Sequence, residues 1–339
     1  MSRSLVTIDL GAVRHNARVL ADKLEETELW VVVKADGYGH GAADVGGAAL
    51  EAGATALCVA TVAEGVALRA ALPEARILVL GPSTADEVAL ARDAVLELTI
   101  GDERVPDGIP VHLKLDTGMG RWGLAELPSP SRSVVGLMTH LATAESDHSF
   151  ALGQLELFLR ATEPYAGRYV RHVANSAAAL LLPATRLDAA RCGIALYGID
   201  PAGDDAARYG LRPVLRWESE LAQVRKLLPG ESTGYGRRFT AVDEEWIGVV
   251  PVGYADGFRR DLTGTQVLVG GERAPVVGAI SMDAFALRLP GPTDVGTPVT
   301  LVGDGLTLEA HARVAETIAY ELACAIRSEP GRATRKVVT

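Results

Sequence analysis

The chain has 339 residues, of which 48% are hydrophobic and 22% charged, and its formal net charge at pH 7 is -10. This length and apolar content allow a large buried core and two domains. The negative charge disfavours nucleic acid and anionic membranes as partners, because both are bound by basic surfaces. A small molecule is therefore the expected ligand.

The N-terminus and the cysteines favour a cytoplasmic protein. The first residues lack the apolar core and small-residue cleavage site of a signal peptide. The longest apolar run, residues 177–182, is far shorter than the ~20 residues that a membrane span needs. The cysteines, Cys58, Cys192 and Cys324, are odd in number and widely spaced, which argues against a disulfide framework and a zinc site. We expect no metal.

The first two thirds of the chain alternate β-rich runs with amphipathic helical segments such as residues 9–23 and 63–71. Eight segments have the length and composition of strands: 30–34, 54–60, 77–80, 96–100, 111–115, 134–139, 169–173 and 187–191. Eight strands with intervening helices predict a (β/α)8 barrel of the TIM type over residues 1–213. A doubly wound sheet is the alternative, but the segment after the first strand lacks its G-x-G-x-x-G pattern.

The pattern changes from about residue 214. Several β-like segments follow one another across Pro and Gly turns, with one late helical stretch at 307–324. The β-like segments are 217–227, 246–252, 265–269, 274–277 and 298–302. Residues 214–339 are therefore predicted to form a second, mostly β domain.

Residues 31–41, VVVKADGYGHG, place Lys34 where an apolar strand gives way to a glycine-rich loop. A lysine at the carboxyl end of a buried strand is poorly solvated, which favours the nucleophilic amine that forms Schiff bases. The glycines and Tyr38 that follow supply amides and a hydroxyl for a phosphate. A nucleophilic lysine beside a phosphate site indicates pyridoxal phosphate, whereas the alternative is an ordinary surface lysine.

Further polar clusters follow the predicted barrel strands, on the face where barrel enzymes carry their active residues. They are Lys114 to Arg121 after the fifth strand, Thr139-His140 after the sixth, Asn175-Ser176 after the seventh and Arg191 to Ile194 after the eighth. Helix caps and a core histidine are the alternatives for single clusters. Arg121 and Arg191, placed near a buried mouth, are expected to meet an anion or an aromatic nitrogen.

The predicted β domain adds two further segments, Gly253-Tyr254-Ala255-Asp256-Gly257 and Ser281-Met282-Asp283. Tyr254 is a candidate for proton transfer. The alternative is a turn tyrosine that packs on its ring.

These segments jointly resemble bacterial alanine racemase, a pyridoxal-phosphate family, in the family's order and over nearly the whole chain. The matching segments are 33–41, 114–123, 139–144, 174–177, 191–198, 253–257 and 280–283. The resemblance implies the barrel and β-domain fold and an isomerase that supplies D-alanine for cell-wall peptidoglycan. It also implies a small amino-acid substrate.

The resemblance assigns most of the barrel candidates to the cofactor. Lys34 matches the lysine that holds pyridoxal phosphate, and Arg191 matches an arginine that faces the pyridine nitrogen. His172 matches the histidine behind that arginine, and His140 one beside the cofactor ring. The residues matching other cofactor contacts, mostly to the phosphate, are Tyr38, Asn175, Ser176, Gly193 and Ile194.

The resemblance also implies a homodimer with shared active sites. Lys34 and Tyr254 match the two catalytic bases, and the domain 214–339 contributes Tyr254 to the partner subunit's site. Met282 and Asp283 match the partner's contacts to the substrate carboxylate. Arg121 matches an arginine that contacts that carboxylate and the cofactor. Lys114 matches a lysine that positions this arginine and is carbamylated in some members.

Two departures from the family pattern concern the cofactor and the substrate. A tyrosine near the C-terminus that often contacts the phosphate is missing, which leaves Ser328 or Tyr320 as replacements, and Ser281 stands where cysteine is common. A racemase for another small amino acid such as serine and a same-fold decarboxylase are the alternative enzymes. A non-catalytic binding protein would be expected to lack Lys34 or Tyr254, and both are present.

Overall fold

The computed structural model describes residues 3–339, which form two compact units. One unit is Gly11–Arg212, and the other combines the residues up to Leu10 with Pro213–Thr339. The N-terminal strand β1 (Leu5–Asp9) lies in the second unit because it pairs there with two strands from the C-terminal part of the chain. The unit with the barrel therefore starts about ten residues later than the predicted domain 1–213.

Gly11–Arg212 contains a closed barrel of eight parallel strands, which confirms the predicted (β/α)8 architecture over a doubly wound sheet. The strands are β2 (Glu28–Val32), β3 (Ala56–Val59), β4 (Ile77–Val79), β5 (Glu97–Ile100), β6 (Val111–Lys114), β7 (Val134–Met138), β8 (Val170–His172) and β9 (Ala189–Cys192). Each pairs with the next in the chain, and β9 closes on β2 with Cys192 beside Val31. Nearly every strand residue is buried, as expected for strands covered on both faces.

Helices connect most of these strands. They are α1 (Leu10–Leu24), α2 (Lys34–Tyr38), α3 (Ala42–Glu51), α4 (Val62–Ala71), α5 (Ala85–Asp93), α6 (His148–Thr162) and α7 (Ser176–Leu181), with short 3-10 turns at Glu163–Tyr165, Pro183–Thr185, Ile194–Tyr197 and Ala206–Tyr209. The helical prediction for 9–23 is confirmed, and its apolar face is buried at Val13, Ala17 and Leu20. α4 and α5 each begin at a Thr-x-x-Glu capping box, which satisfies their first amides.

The second unit is built on a nine-stranded sheet. Besides β1, its strands are β10 (Leu215–Glu220), β11 (Gln223–Leu227), β14 (Glu245–Val250), β15 (Gln266–Val269), β16 (Glu272–Val277), β17 (Phe285–Leu289), β18 (Pro298–Val302) and β19 (Thr334–Val338). Their order in the sheet is β11-β14-β17-β16-β15-β18-β10-β1-β19. A separate two-stranded ladder joins β12 (Ser232–Thr233) to β13 (Phe239–Thr240). The prediction of a mostly β domain is confirmed.

Some boundaries in this unit differ from the sequence prediction. The segment 217–227 is two strands, and the helix predicted over 307–324 is two helices, α8 (Leu308–Val314) and α9 (Ala319–Ala325). The break follows from Glu316, whose φ of 49° is left-handed and ends α8. Short 3-10 turns occupy Tyr235–Arg237, Tyr254–Asp256 and Arg260–Leu262. No helix within residues 3–339 combines the length and the apolar character needed to cross a membrane.

Candidate active site

The barrel brings the candidate residues of Gly11–Arg212 to one rim, because the carboxyl ends of its parallel strands lie on the same face. Lys34 follows β2, Lys114 ends β6, His140 follows β7, His172 ends β8, Asn175 and Ser176 follow β8, Arg191 lies within β9, and Gly193 and Ile194 follow it. Arg191 is therefore one residue before the end of β9, whereas the predicted strand 187–191 ended at this residue. This places its side chain in the barrel core.

Lys34 begins a turn of left-handed helix. The φ angles of Ala35, Asp36 and Tyr38 are 52°, 50° and 53°, a conformation that costs roughly 1–2 kcal/mol for each residue with a Cβ. Glu64 opposes this strain, since its Oε1 accepts a hydrogen bond from the Ala35 N–H at 2.8 Å. Glu64 is also the capping glutamate of α4, so one carboxylate links the lysine turn to the next strand–helix loop.

Two more side chains hold the turn. The Asp36 carboxylate accepts a hydrogen bond from the Ala42 N–H at 2.9 Å. The fully buried His40 contacts the Tyr38 carbonyl through Nδ1 at 2.9 Å, and its ring packs on Tyr197. The sequence reasoning did not single out His40 or Glu64. The signal for Glu64 was available in the Thr-x-x-Glu pattern that begins α4.

Tyr38, Ser176 and Gly193 converge into a small polar cradle. Ser176 Oγ is 2.9 Å from the Gly193 N–H, and a Cβ at Gly193 would lie only 2.6 Å from the Tyr38 hydroxyl oxygen. Ser176 and Tyr38 are 4% and 7% exposed. Two hydroxyls and a backbone amide around a glycine are donors suited to a phosphate group, so this cradle fits the phosphate of pyridoxal phosphate.

Asn175 is a helix cap in this structure. Its side-chain oxygen accepts a hydrogen bond from the Ala178 N–H at 3.0 Å and so begins α7. A helix cap is the alternative to a binding role that the position of Asn175 after a predicted strand suggested. The buried Ile194 starts the 3-10 turn that follows Gly193.

Arg191 is buried to 3% exposure and is held by neutral groups. Its Nη1 donates to His172 Nδ1 at 2.7 Å and to the His172 carbonyl, and its Nη2 donates to the Thr139 carbonyl at 2.8 Å. Burial lowers the pKa of Arg191 to about 10. Within residues 3–339 all side-chain hydrogen bonds of Arg191 come from Nη1 and Nη2, and an Nε–H that remains for a ligand fits an arginine that faces the ring nitrogen of pyridoxal phosphate.

His140 lies beside this guanidinium, with its Nδ1 3.4 Å from Arg191 Nη2. Burial, followed by the charges of Arg191 and Arg121, lowers the pKa of His140 to about 3. The imidazole is therefore neutral at physiological pH, and it adds no charge to a rim that is already cationic.

Lys114 and Arg121 lie in different environments. Lys114 is 2% exposed, donates to the Trp122 carbonyl at 2.6 Å and lies 3.9 Å from the centre of the Trp122 ring. Burial and then Arg121 and Arg191 lower its pKa to about 8. Arg121 is exposed, although its charge acts on both Lys114 and His140, and the expectation that it meets an anion stays a prediction. The loop that carries it turns outward around Asp116, which accepts hydrogen bonds from the Gly118 and Gly120 amides.

The candidates of the second unit share one surface. The Tyr254 N–H donates to the Ser281 carbonyl at 3.1 Å, and the next residue donates to the Met282 carbonyl. The two loops touch back to back, because a Cβ at Gly253 would lie 2.3 Å from the Ser281 oxygen. Tyr254 and Met282 are 44% and 50% exposed. The adjacent Asp283 carboxylate accepts a hydrogen bond from Arg332 at 2.7 Å.

Comparison with known proteins places both units in one family. The family model "Alanine racemase, N-terminal domain" matches residues 8–201, and "Alanine racemase, C-terminal domain" matches residues 214–334. Alanine racemase of Lactiplantibacillus plantarum is 41% identical over 95% of this chain and 94% of its own length. That of Geobacillus stearothermophilus is 41% identical over 94% of this chain and 90% of its own.

Solved structures agree with these sequence matches. The crystal structure of biosynthetic alanine racemase from Pseudomonas aeruginosa has a TM-score of 0.91 and 36% sequence identity, and the match covers 100% of both chains. The chain belongs to the alanine racemase family.

Proposed function

We propose that this protein interconverts L-alanine and D-alanine with pyridoxal phosphate as cofactor, and that it supplies D-alanine for cell-wall peptidoglycan. The observation that carries the proposal is the cradle of Tyr38, Ser176 and Gly193 beside the strand that leads into Lys34. The match to alanine racemases over both units supports the same activity.

Within this proposal the cofactor is held from three sides. Lys34 would bind its carbonyl carbon, the cradle and the adjoining Ile194 amide would hold its phosphate, and Arg191 would lie at its ring nitrogen. The neutral imidazole of His140 lies beside the ring. When bound, pyridoxal phosphate acidifies the α-proton of an attached amino acid by delocalising the carbanion.

Racemisation needs a base on each face of the substrate. We assign Lys34 Nζ to one face and the Tyr254 hydroxyl to the other, so that in each direction one group removes the α-proton from its own face and the other donates a proton from the opposite face. With the cofactor bound, Arg191 would disfavour a second positive charge on the ring nitrogen, which would weaken electron withdrawal by the ring and favour proton transfer over other reactions.

The remaining roles are assigned to recognition of the substrate. Arg121, Met282 and Asp283 contact the substrate carboxylate in this proposal, and Lys114 positions Arg121. Arg121 and Met282 are both exposed, which leaves them available to a ligand or a partner chain. His172 supports Arg191 through the 2.7 Å hydrogen bond.

We further propose a homodimer in which Tyr254, Met282 and Asp283 complete the partner's site. The exposed tyrosine and methionine lie on adjoining loops, and large exposed apolar side chains in one place are typical of an interface. We expect the protein to act in the cytoplasm, where free thiols such as the buried Cys58 and Cys192 persist.

A panel of D- and L-amino acids tests the assignment. The purified holoenzyme should convert either enantiomer of alanine to the racemate faster than it converts serine or a basic amino acid. The preference over serine is expected to be modest, because a small pocket distinguishes one hydroxyl by only about 1–3 kcal/mol. Faster racemisation of serine, or release of carbon dioxide, would replace the proposal with one of the two alternatives.

A further inference from the structure

A continuous line of polar side chains crosses the barrel core behind Arg191. Arg191 Nη1 lies 2.7 Å from His172 Nδ1, His172 Nε2 lies 2.8 Å from His112 Nδ1, and His112 Nε2 lies 2.8 Å from Glu97 Oε2. His112 and His172 are fully buried. Glu97 starts β5, at the amino end of the barrel, where its side chain is 17% exposed and pairs with Arg76.

The direction of every hydrogen bond in this line is determined by its two ends. A guanidinium only donates and a carboxylate only accepts. His172 must therefore accept on Nδ1 and carry its proton on Nε2, which donates to His112 Nδ1. His112 in turn must carry its proton on Nε2 and donate to Glu97. Each neutral imidazole has one donor and one acceptor, and both are used.

The charge states of the two histidines and of Glu97 agree with these hydrogen-bond directions. Burial is the largest cause that lowers the pKa of both His112 and His172, so both are neutral. Hydrogen bonds from His112 and Arg76 outweigh burial at Glu97 and lower its pKa to about 2, so this group is a carboxylate. The line joins one cation at the mouth to one anion at the opposite end through two neutral rings.

The surrounding barrel makes room for these rings. Gly136 of β7 is the register partner of His112, and a Cβ there would lie 2.0 Å from His112 Nδ1. The buried Trp30 ring packs on both histidines, with centroid distances of 4.6 Å to His172 and 5.7 Å to His112. Barrel interiors are usually filled with branched apolar side chains. Polar groups buried here without a function would destabilise the fold relative to such a core.

We propose that Glu97 and His112 are positioning residues for Arg191. They fix the tautomer of His172. His172 in turn holds the Arg191 guanidinium in the orientation that leaves the Arg191 Nε–H available to the cofactor. This inference rests on the proposed function, in which Arg191 faces the ring nitrogen of the cofactor. The side-chain hydrogen bonds of Glu97 and His112 go to Arg76, to His172 and to each other, so their effect on the reaction passes through His172 and Arg191.

Histidine NMR on the wild-type protein is the first test, with and without pyridoxal phosphate. Proton–nitrogen correlation spectra of the ring nitrogens should show His112 and His172 both protonated on Nε2 and bare on Nδ1, also without cofactor. A proton on Nδ1 of either ring would overturn the inference and leave the proposed function unaffected. Absence of racemisation in a protein that has the expected tautomers would instead overturn the proposed function.

Glu97→Gln is the second test, because it removes the charge while it keeps the shape. The matched control is Glu28→Gln. Glu28 lies at the same end of the barrel, and its carboxylate is 3.9 Å from Arg76. It accepts hydrogen bonds from Trp30 and Thr55, and none from a histidine within the described part of the chain. Glu97→Gln should lower kcat by at least about tenfold, as for other outer partners that orient an active group. KM should change little, and the visible absorption band of the bound cofactor should shift.

The control should keep the wild-type kcat and absorption band. Equal kcat and equal spectra for Glu97→Gln and Glu28→Gln would overturn the inference, and the line would then have only a structural role. If Glu97→Gln fails to fold, the wild-type tautomers still decide the question.

Discussion

Asp256 and Gly253 form a closed turn around Tyr254, in which Asp256 Oδ2 accepts a hydrogen bond from the Gly253 N–H at 2.8 Å. Asp256 is 1% exposed. Two arginines from opposite ends of the chain approach its carboxylate, Arg3 at 3.5 Å and Arg332 at 3.4 Å. Arg332 also donates to Asp283. The proposed base and the proposed carboxylate contact are therefore held by one cluster of charges.

Asp256→Asn should loosen this turn, because the amide keeps the shape but loses the charge that both arginines face. We expect a loss of stability of about 1–3 kcal/mol, the usual cost of a disrupted buried hydrogen-bonded charge. Racemisation should fall while cofactor absorbance stays. Asp261→Asn, which removes a surface partner of Arg259, is the control and should change the urea midpoint little. Equal urea midpoints for the two variants would contradict this prediction.

Lys34 should be the residue that holds the cofactor. Borohydride reduction of the holoenzyme followed by peptide mapping should place the reduced pyridoxyl group on Lys34. Lys34→Ala removes both the anchor and one base, so turnover should fall by several orders of magnitude. Lys226→Ala, at a surface lysine paired with Glu244, should behave as wild type. Cofactor mapped to Lys114 or another lysine would end the assignment.

Tyr254→Phe should abolish racemisation and keep the cofactor absorbance, because the hydroxyl is a base and not an anchor in the proposed site. Tyr235→Phe is the matched control, since Tyr235 is also an exposed tyrosine of the second unit. In deuterium oxide the wild type should incorporate deuterium at the α-carbon from either enantiomer. Unchanged racemase rates in Tyr254→Phe would remove this residue from the mechanism.

Mixing the two inactive variants tests the shared site. A hybrid dimer of Lys34→Ala and Tyr254→Phe chains has one site with both defects and one with neither. Random pairing makes half the dimers hybrid, so activity should recover to ~25% of wild type at equal mixing. Mass spectrometry of differently tagged chains would verify the exchange of subunits. Exchange without recovery would show that both residues act within one chain.

His140 should make the protein less stable in mild acid. The pKa of His140 is lowered to about 3 in the fold, whereas an unfolded histidine titrates near ~6.5. Between these values the unfolded chain binds the extra proton, so stability falls as pH falls through this window. His140→Phe should reduce the slope of the unfolding free energy against pH by about 1.4 kcal/mol per pH unit near pH 5. Urea unfolding at several pH values measures this slope. Identical slopes for His140→Phe and the wild type would contradict the prediction that the His140 imidazole is neutral in the folded protein.

The elements that depend on a local residue pattern could be predicted from the sequence alone. The apolar face of residues 9–23 and the eight β-rich runs predicted α1 and the barrel, because burial imposes a period of 3.6 on a helix and an apolar run on a covered strand. The shift to Pro and Gly turns without helices near residue 214 predicted the second domain. The motif order around Lys34 and Tyr254 identified the family.

Contacts between residues that are distant in the sequence depend on how the whole chain folds. β1 pairs with β19 across more than three hundred residues, and Arg121 is exposed while Arg191 is buried, although both follow predicted strands. His112 and Glu97 carried no local signal of their partners. The physical reason is that periodicity reports which face of an element is buried, whereas a hydrogen bond or an ion pair depends on side chains that other parts of the chain bring within about 3 Å.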